Sequence, residues 1–118
     1  MDTKTIYEMI GGDYDDALSR MRKPERVEKF LGLFLKDGSF GQLKECMEKD
    51  DMTGAFAAAH TAKGVCANLS IERLRALVSD LTEDLRGGKD IAHAREVWPA
   101  VEACYEETAQ TIKEALGK

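Results

Sequence analysis

The sequence predicts an all-α fold, an antiparallel up-and-down four-helix bundle with additional short N-terminal helices. Three observations carry that expectation. Apolar residues recur at helical spacing, and β-branched alternation of the kind a strand needs is absent. Good helix formers (Ala, Leu, Glu, Lys, Met) dominate the periodic segments. Gly, Pro and Asp then divide the chain into segments with short connections, which favour antiparallel neighbours. The 118 residues, 43% of them hydrophobic, suit one core, so residues 1–118 read as a single domain.

A first helix over about Thr3–Ile10 stops at Gly11-Gly12, and Asp13 can cap a second that runs to about Arg22. Pro24 suits the first turn of a third helix, whose stripe is Val27, Phe30, Leu31 and Phe34, and Asp37-Gly38 ends it. Ser39 stands three residues before Gln42, a capping-box arrangement opening a fourth helix to about Lys49. Its buried side would hold Phe40, Leu43 and Met47. Asp51 or Thr53 can cap a fifth helix over about Gly54–Leu69, with Ser70 at the junction to a sixth. The stripe Ile71, Leu74, Leu77, Val78, Leu81 and Leu85 defines the sixth, which Gly87-Gly88 closes. Asp90 can cap the last segment, whose buried face is read as Ile91, Val97, Val101, Cys104, Thr108, Ile112 and Ala115. Pro99 predicts either a kink after Trp98 or a short helix followed by a long one.

A net charge of −5 argues against general nucleic-acid binding, which needs a clustered basic face. Cys46, Cys66 and Cys104 are odd in number and widely spaced, so a reducing compartment suits them better than a disulfide framework. The N-terminal residues lack the basic start and apolar run of a signal peptide, and no stretch is apolar for long enough to cross a bilayer. A cytoplasmic protein is expected. Length and Met1 suggest a free-standing chain.

The informative segment is the fifth helix. At roughly 100° per residue it has two faces. Ala55, Ala58, Ala59, Ala62, Val65, Cys66 and Leu69 form one, a core face of small residues. The other is centred on His60 and carries Phe56, Ala57, Lys63, Gly64 and Ala67. Small side chains at Ala57, Gly64 and Ala67 leave the imidazole open to another protein. A mid-helix glycine costs about 1 kcal/mol against alanine, which suggests that a side chain at Gly64 would obstruct something. Lys63, one turn from His60, places an ammonium where it can meet a phosphoryl oxygen. Histidine, with a reference pKa near 6.5, offers a neutral ring nitrogen as a nucleophile. Taken singly, each feature has a plainer explanation: a surface histidine, a tightly packed glycine, a solvated lysine.

His60-Thr61-Ala62-Lys63-Gly64, followed by Val65-Cys66-Ala67-Asn68-Leu69, resembles the His-x-x-Lys-Gly signature of histidine phosphotransfer (HPt) domains. Gly12-Asp13-Tyr14 through Met21, the Val27–Leu35 helix and Leu81-Thr82-Glu83-Asp84-Leu85-Arg86 are also similar to stand-alone members. The resemblance implies that His60 is the phosphoacceptor, that Lys63 stabilises the transferred phosphate and that Gly64 keeps the approach open. Phe56, Ala57 and Ala67 would meet the partner. It further implies a phosphorelay intermediate with no kinase activity or cofactor of its own. Its partners would be response-regulator receiver domains, which supply Mg2+ during transfer, and a hybrid histidine kinase. A monomer is expected. Two positions depart from the pattern: Ala62 replaces a larger apolar residue, and Ser70 replaces a glycine in the inter-helix turn. The alternative is a phosphate-independent helical adaptor using the same face.

Elsewhere, His93 has Asp90 and Glu96 nearby, but too few converging ligands for a metal site with His60. Thr82 and Ser79 are read as lying on the polar side of the sixth helix, where a plain solvent-facing role is favoured over a hydrogen bond from one of them to the imidazole. Trp98 and Tyr105 read as core-edge aromatics, and no nucleotide-binding signature occurs.

Overall fold

A computed structural model describes residues 1–118. It contains seven α-helices: α1 Thr3–Ile10, α2 Tyr14–Met21, α3 Pro24–Lys36, α4 Ser39–Glu48, α5 Met52–Leu69, α6 Glu72–Leu85 and α7 Ile91–Ala115. A short 3-10 turn, Arg86–Gly88, links α6 to α7. No strand is present.

Local chemistry sets most of the boundaries. Asp2, Asp13, Asp51 and Asp90 each accept a backbone N–H in the first turn of α1, α2, α5 and α7, satisfying donors that have no helical partner. Pro24 opens α3, as its fixed φ and missing N–H favour. The capping box expected at Ser39 does not form. Ser39 is already helical, and Asp37 accepts from both its backbone N–H (3.0 Å) and its hydroxyl. α7 is not divided at Pro99 but continues as one helix of 25 residues. Pro99 is exposed, so water can serve the carbonyl that the missing N–H leaves free.

α4 packs on α5, α5 on α6 and α6 on α7, and α4 also touches α7, so these four helices close a ring. α1 and α3 lie against α7, α3 also reaches α5, and α2 joins α1 to α3. One cluster of 24 buried apolar residues draws on all seven helices. The stripes expected for α4 and α6 face into it, except that Leu77 is only half-buried. In α3, Val27, Leu31 and Phe34 are buried but Phe30 is 41% exposed, because it lies on the flank of the stripe beside an open cleft. In α7, Ala94, Val101, Thr108 and Ile112 are buried, whereas Ile91, Val97, Cys104 and Ala115 lie at the core edge. All three cysteines are free thiols, and burial pushes Cys66 up to about 12.

The N-terminal helices fix the end of α5. Tyr7 is fully buried and its hydroxyl donates to the Leu69 carbonyl at 2.7 Å. Nη2 of Arg20 donates to the carbonyls of Ala67 and Asn68 and to Oγ of Ser70. The carbonyls of Asn68 and Leu69, orphans at a helix C-terminus, are thereby satisfied by side chains from α1 and α2, and that of Ala67 gains a second donor beside the Ser70 N–H. The turns also meet: the Asp13 N–H donates to the Ser70 carbonyl and the Arg73 N–H to the Gly11 carbonyl. Gly12 is needed at this crossing, because a Cβ there would stand 2.6 Å from the Tyr7 ring and 3.0 Å from the Ser70 carbonyl.

Candidate functional site

Eighteen residues of α5 carry the candidate site. Its inner face is the small-residue face read from the sequence: Ala55, Ala58, Ala59, Ala62, Cys66 and Leu69 are all buried, and Val65 is half-buried. This orients the helix. With its alanines against the core, the opposite side must face out, and His60, Ala57, Gly64 and Ala67 are all exposed.

Gly64 is decided by space. A Cβ built on it would meet nothing within 4 Å, and its φ is not positive. Neither close helix packing nor backbone conformation therefore requires glycine there. The departure at Ser70 is accommodated locally. Ser70 takes the left-handed conformation that a glycine would adopt easily (φ 55°), and its buried hydroxyl donates to Oδ2 of Asp16 at 2.6 Å. Those polar contacts hold a turn that is otherwise unfavourable for an L-residue.

Around His60, Phe56 stacks one turn earlier, with ring centroids 6.1 Å apart and planes 23° from parallel. Lys63 follows one turn later and is half-buried. A second cation, not identified from the sequence, comes from the end of α6. The Arg86 guanidinium lies over the Phe56 ring, 5.0 Å from its centroid. It also pairs with Glu83, Nη2 to Oε2 at 3.0 Å and Nε to both carboxylate oxygens at 3.3 Å. The Arg86 hydrogen bond, aided by the charges of Arg86, Lys63 and Lys89, holds the Glu83 carboxyl below its usual range against a smaller opposing effect of burial. Two cations, Lys63 and Arg86, thus flank the His60–Phe56 pair, with the Glu83 carboxylate paired to Arg86.

Other expectations change. Thr82 is fully buried rather than on a polar face, and its hydroxyl donates to the Val78 carbonyl at 2.7 Å, away from the imidazole. His93 pairs through Nδ1 with Oδ2 of Asp84 at 2.5 Å, not with Glu96. The Asp84 hydrogen bond and charge raise its pKa. No three His, Cys, Asp or Glu side chains are grouped to hold a metal. Tyr105 stacks on Phe40 at 4.2 Å, at the core edge.

The partner surface read as Phe56, Ala57 and Ala67 has a neighbour. Along α5, past Val65 and Asn68, a cleft of about 690 Å³ opens against α3, lined in part by Met21, Phe30 and Leu33 and edged by Arg20, Arg26 and Lys29. Phe30 and Leu33 are 41% and 47% exposed. The Phe30 stripe signal was visible in the sequence, but which of its members faced solvent was not.

No helix is long and apolar enough to cross a membrane. Comparison with curated proteins and with solved structures finds no match. A family model, the Hpt domain, matches residues 25–113. Hpt domains are helical modules that carry a phosphoryl group in phosphorelays and interact with receiver domains of two-component systems. The match spans well over half of the chain and includes α5 with His60, Lys63 and Gly64, and on that ground the chain belongs to the Hpt domain family.

Proposed function

We propose that this chain accepts a phosphoryl group on His60 from the aspartyl phosphate of one receiver domain and passes it to the aspartate of another. The observation that carries this reading is the pairing of an exposed imidazole with an unobstructed Gly64 and two nearby cations, Lys63 and Arg86. In the accepting step a lone pair on a neutral ring nitrogen attacks phosphorus. The nitrogen–phosphorus bond forms, the acyl oxygen–phosphorus bond breaks, and the receiver's carboxylate leaves as the anion. The ring retains the proton on its other nitrogen and becomes a phosphoimidazolium, which can lose that proton to water.

Lys63 serves as a charge partner for the phosphoryl oxygens as they transfer. Gly64 lets the receiver bring its aspartate close. Phe56 fixes one side of the imidazole by stacking, and Ala57 and Ala67 form the small-residue border of the docking face. Exposed Phe30 and Leu33 extend that face with apolar area, which supports a partner docking across α3 and α5. The magnesium ion such transfers use is the receiver's, and it neutralises charge on the phosphoryl oxygens. A single exposed face suffices, so a monomer is the working form.

The test is transfer from a panel of phosphorylated receivers to the wild type and to His60→Gln. An acid-labile phosphoprotein formed by the wild type alone supports the relay. A folded wild type that accepts phosphate from no receiver overturns it and leaves the adaptor reading.

A further inference from the structure

We propose that Glu83 is a resident counter-charge that holds Arg86 in a parked position over Phe56, and that a phosphoryl group on His60 displaces it and recruits Arg86. The inference rests on His60 being the phosphoacceptor. It concerns what limits the lifetime of the phosphorylated state.

The geometry has three parts. Arg86 is held on two sides, by the Glu83 carboxylate through Nε and Nη2 and by the face of Phe56. Phe56 is itself stacked on His60. Placed end to end, the distances from guanidinium to Phe56 and from Phe56 to His60 leave the charge no farther than about 11 Å from the imidazole centre. That is within the swing of a long side chain that is 53% exposed. Neither end of the Glu83–Arg86 pair is buried, so the ion pair is weak and exchangeable. A phosphoryl group carries about two negative charges and three acceptor oxygens, and it outcompetes a single carboxylate for a bidentate guanidinium.

The anion matters in both states. Without phosphate, Glu83 compensates Arg86 and sits within the field of Lys63. Once His60 is phosphorylated, the same carboxylate competes with the phosphoryl group for Arg86. Keeping the Arg86 cation away from the ring also favours the protonated phosphoimidazolium, the form from which phosphate is lost: water attacks phosphorus, the nitrogen–phosphorus bond breaks, and the ring leaves as neutral imidazole. Glu83 therefore shortens the life of the phosphohistidine, and Arg86, when free, lengthens it. Glu83 is a positioning residue here, acting through Arg86.

The experiment uses phosphoramidate, which transfers its phosphoryl group to histidine and releases ammonia, so no receiver has to be known. The first-order loss of phosphate is followed by 31P NMR in the wild type, Glu83→Gln, Glu83→Asp, Arg86→Gln and the Glu83→Gln/Arg86→Gln double variant. Exposed ion pairs of this kind predict that Glu83→Gln slows the loss by a factor of about 1.5 to 5. Arg86→Gln speeds it, Glu83→Asp returns toward the wild type, and the Glu83→Gln effect shrinks toward none when Arg86 is absent. Equal lifetimes in wild type and Glu83→Gln, or an undiminished Glu83→Gln effect in the double variant, overturn the parked-arginine proposal while leaving the carrier reading standing. A wild type that takes up no phosphate on His60 overturns the carrier reading, and this proposal with it.

Discussion

Replacing Gly64 with alanine should make the protein more stable and a worse phosphate acceptor. The two effects have separate origins. For stability, the residue lies inside α5 with room for a Cβ, since nothing stands within 4 Å of that position. Gly→Ala then gains the helix-propensity difference and a less flexible unfolded chain, about 0.5–1 kcal/mol in total, with no clash to subtract. With unfolding entropies near 2.1 cal/mol/K per residue, about 0.25 kcal/mol/K for a chain of this size, Tm should rise by roughly 2–4 °C. For transfer, the methyl group projects one turn from His60, on the side a receiver must approach. Intruding one carbon into a well-packed contact costs about 1–3 kcal/mol, so kcat/KM for transfer should fall by a factor of about 5 to 160. Thermal and urea unfolding measure the first effect, and single-turnover transfer from a phosphorylated receiver measures the second. A destabilised variant would refute the open-space argument. A stabilised variant with unchanged transfer would refute the view that this flank of His60 is where the partner docks.

Two further outcomes follow from the remaining contacts. Tyr7→Phe removes the buried donor to the Leu69 carbonyl and should cost about 1–2 kcal/mol in urea unfolding, whereas Arg20→Ala, at an exposed site, should cost less; the reverse order would show that α5 is not held chiefly by α1. His93 has a raised pKa in the fold through its pairing with Asp84, so its contribution is fully present below its unfolded value of about 6.5 and is lost as pH rises through the raised folded value. The stability difference between wild type and His93→Gln should accordingly be larger at pH 5.5 than at pH 8.5, and an equal or inverted difference in chemical denaturation at the two pH values would contradict the assignment.

The amino-acid sequence by itself determined the helices and the outward face of α5. Helix ends depend on a few neighbouring residues, and Asp13, Pro24, Asp51 and Asp90 act within one turn of themselves. The alternation of alanine with larger or polar residues along α5 likewise fixes which side can approach a core, so His60, Lys63 and Gly64 could be grouped without knowing their neighbours. Where that reasoning failed, a second local partner competed, as when Asp37 rather than Ser39 organised the start of α4. The tertiary structure decided the rest. Thr82 is polar, and the sequence placed it outside, but the packing of α6 buries it and its hydroxyl finds a carbonyl on its own helix. Arg86 lies far from His60 along the chain, and only the packing of α6 on α5 brings its charge over Phe56. The capping of α5 by Tyr7 and Arg20 also joins residues from opposite halves of the chain. Periodicity and capping are short-range and legible in one dimension, whereas a charge acting across a helix interface depends on which faces meet.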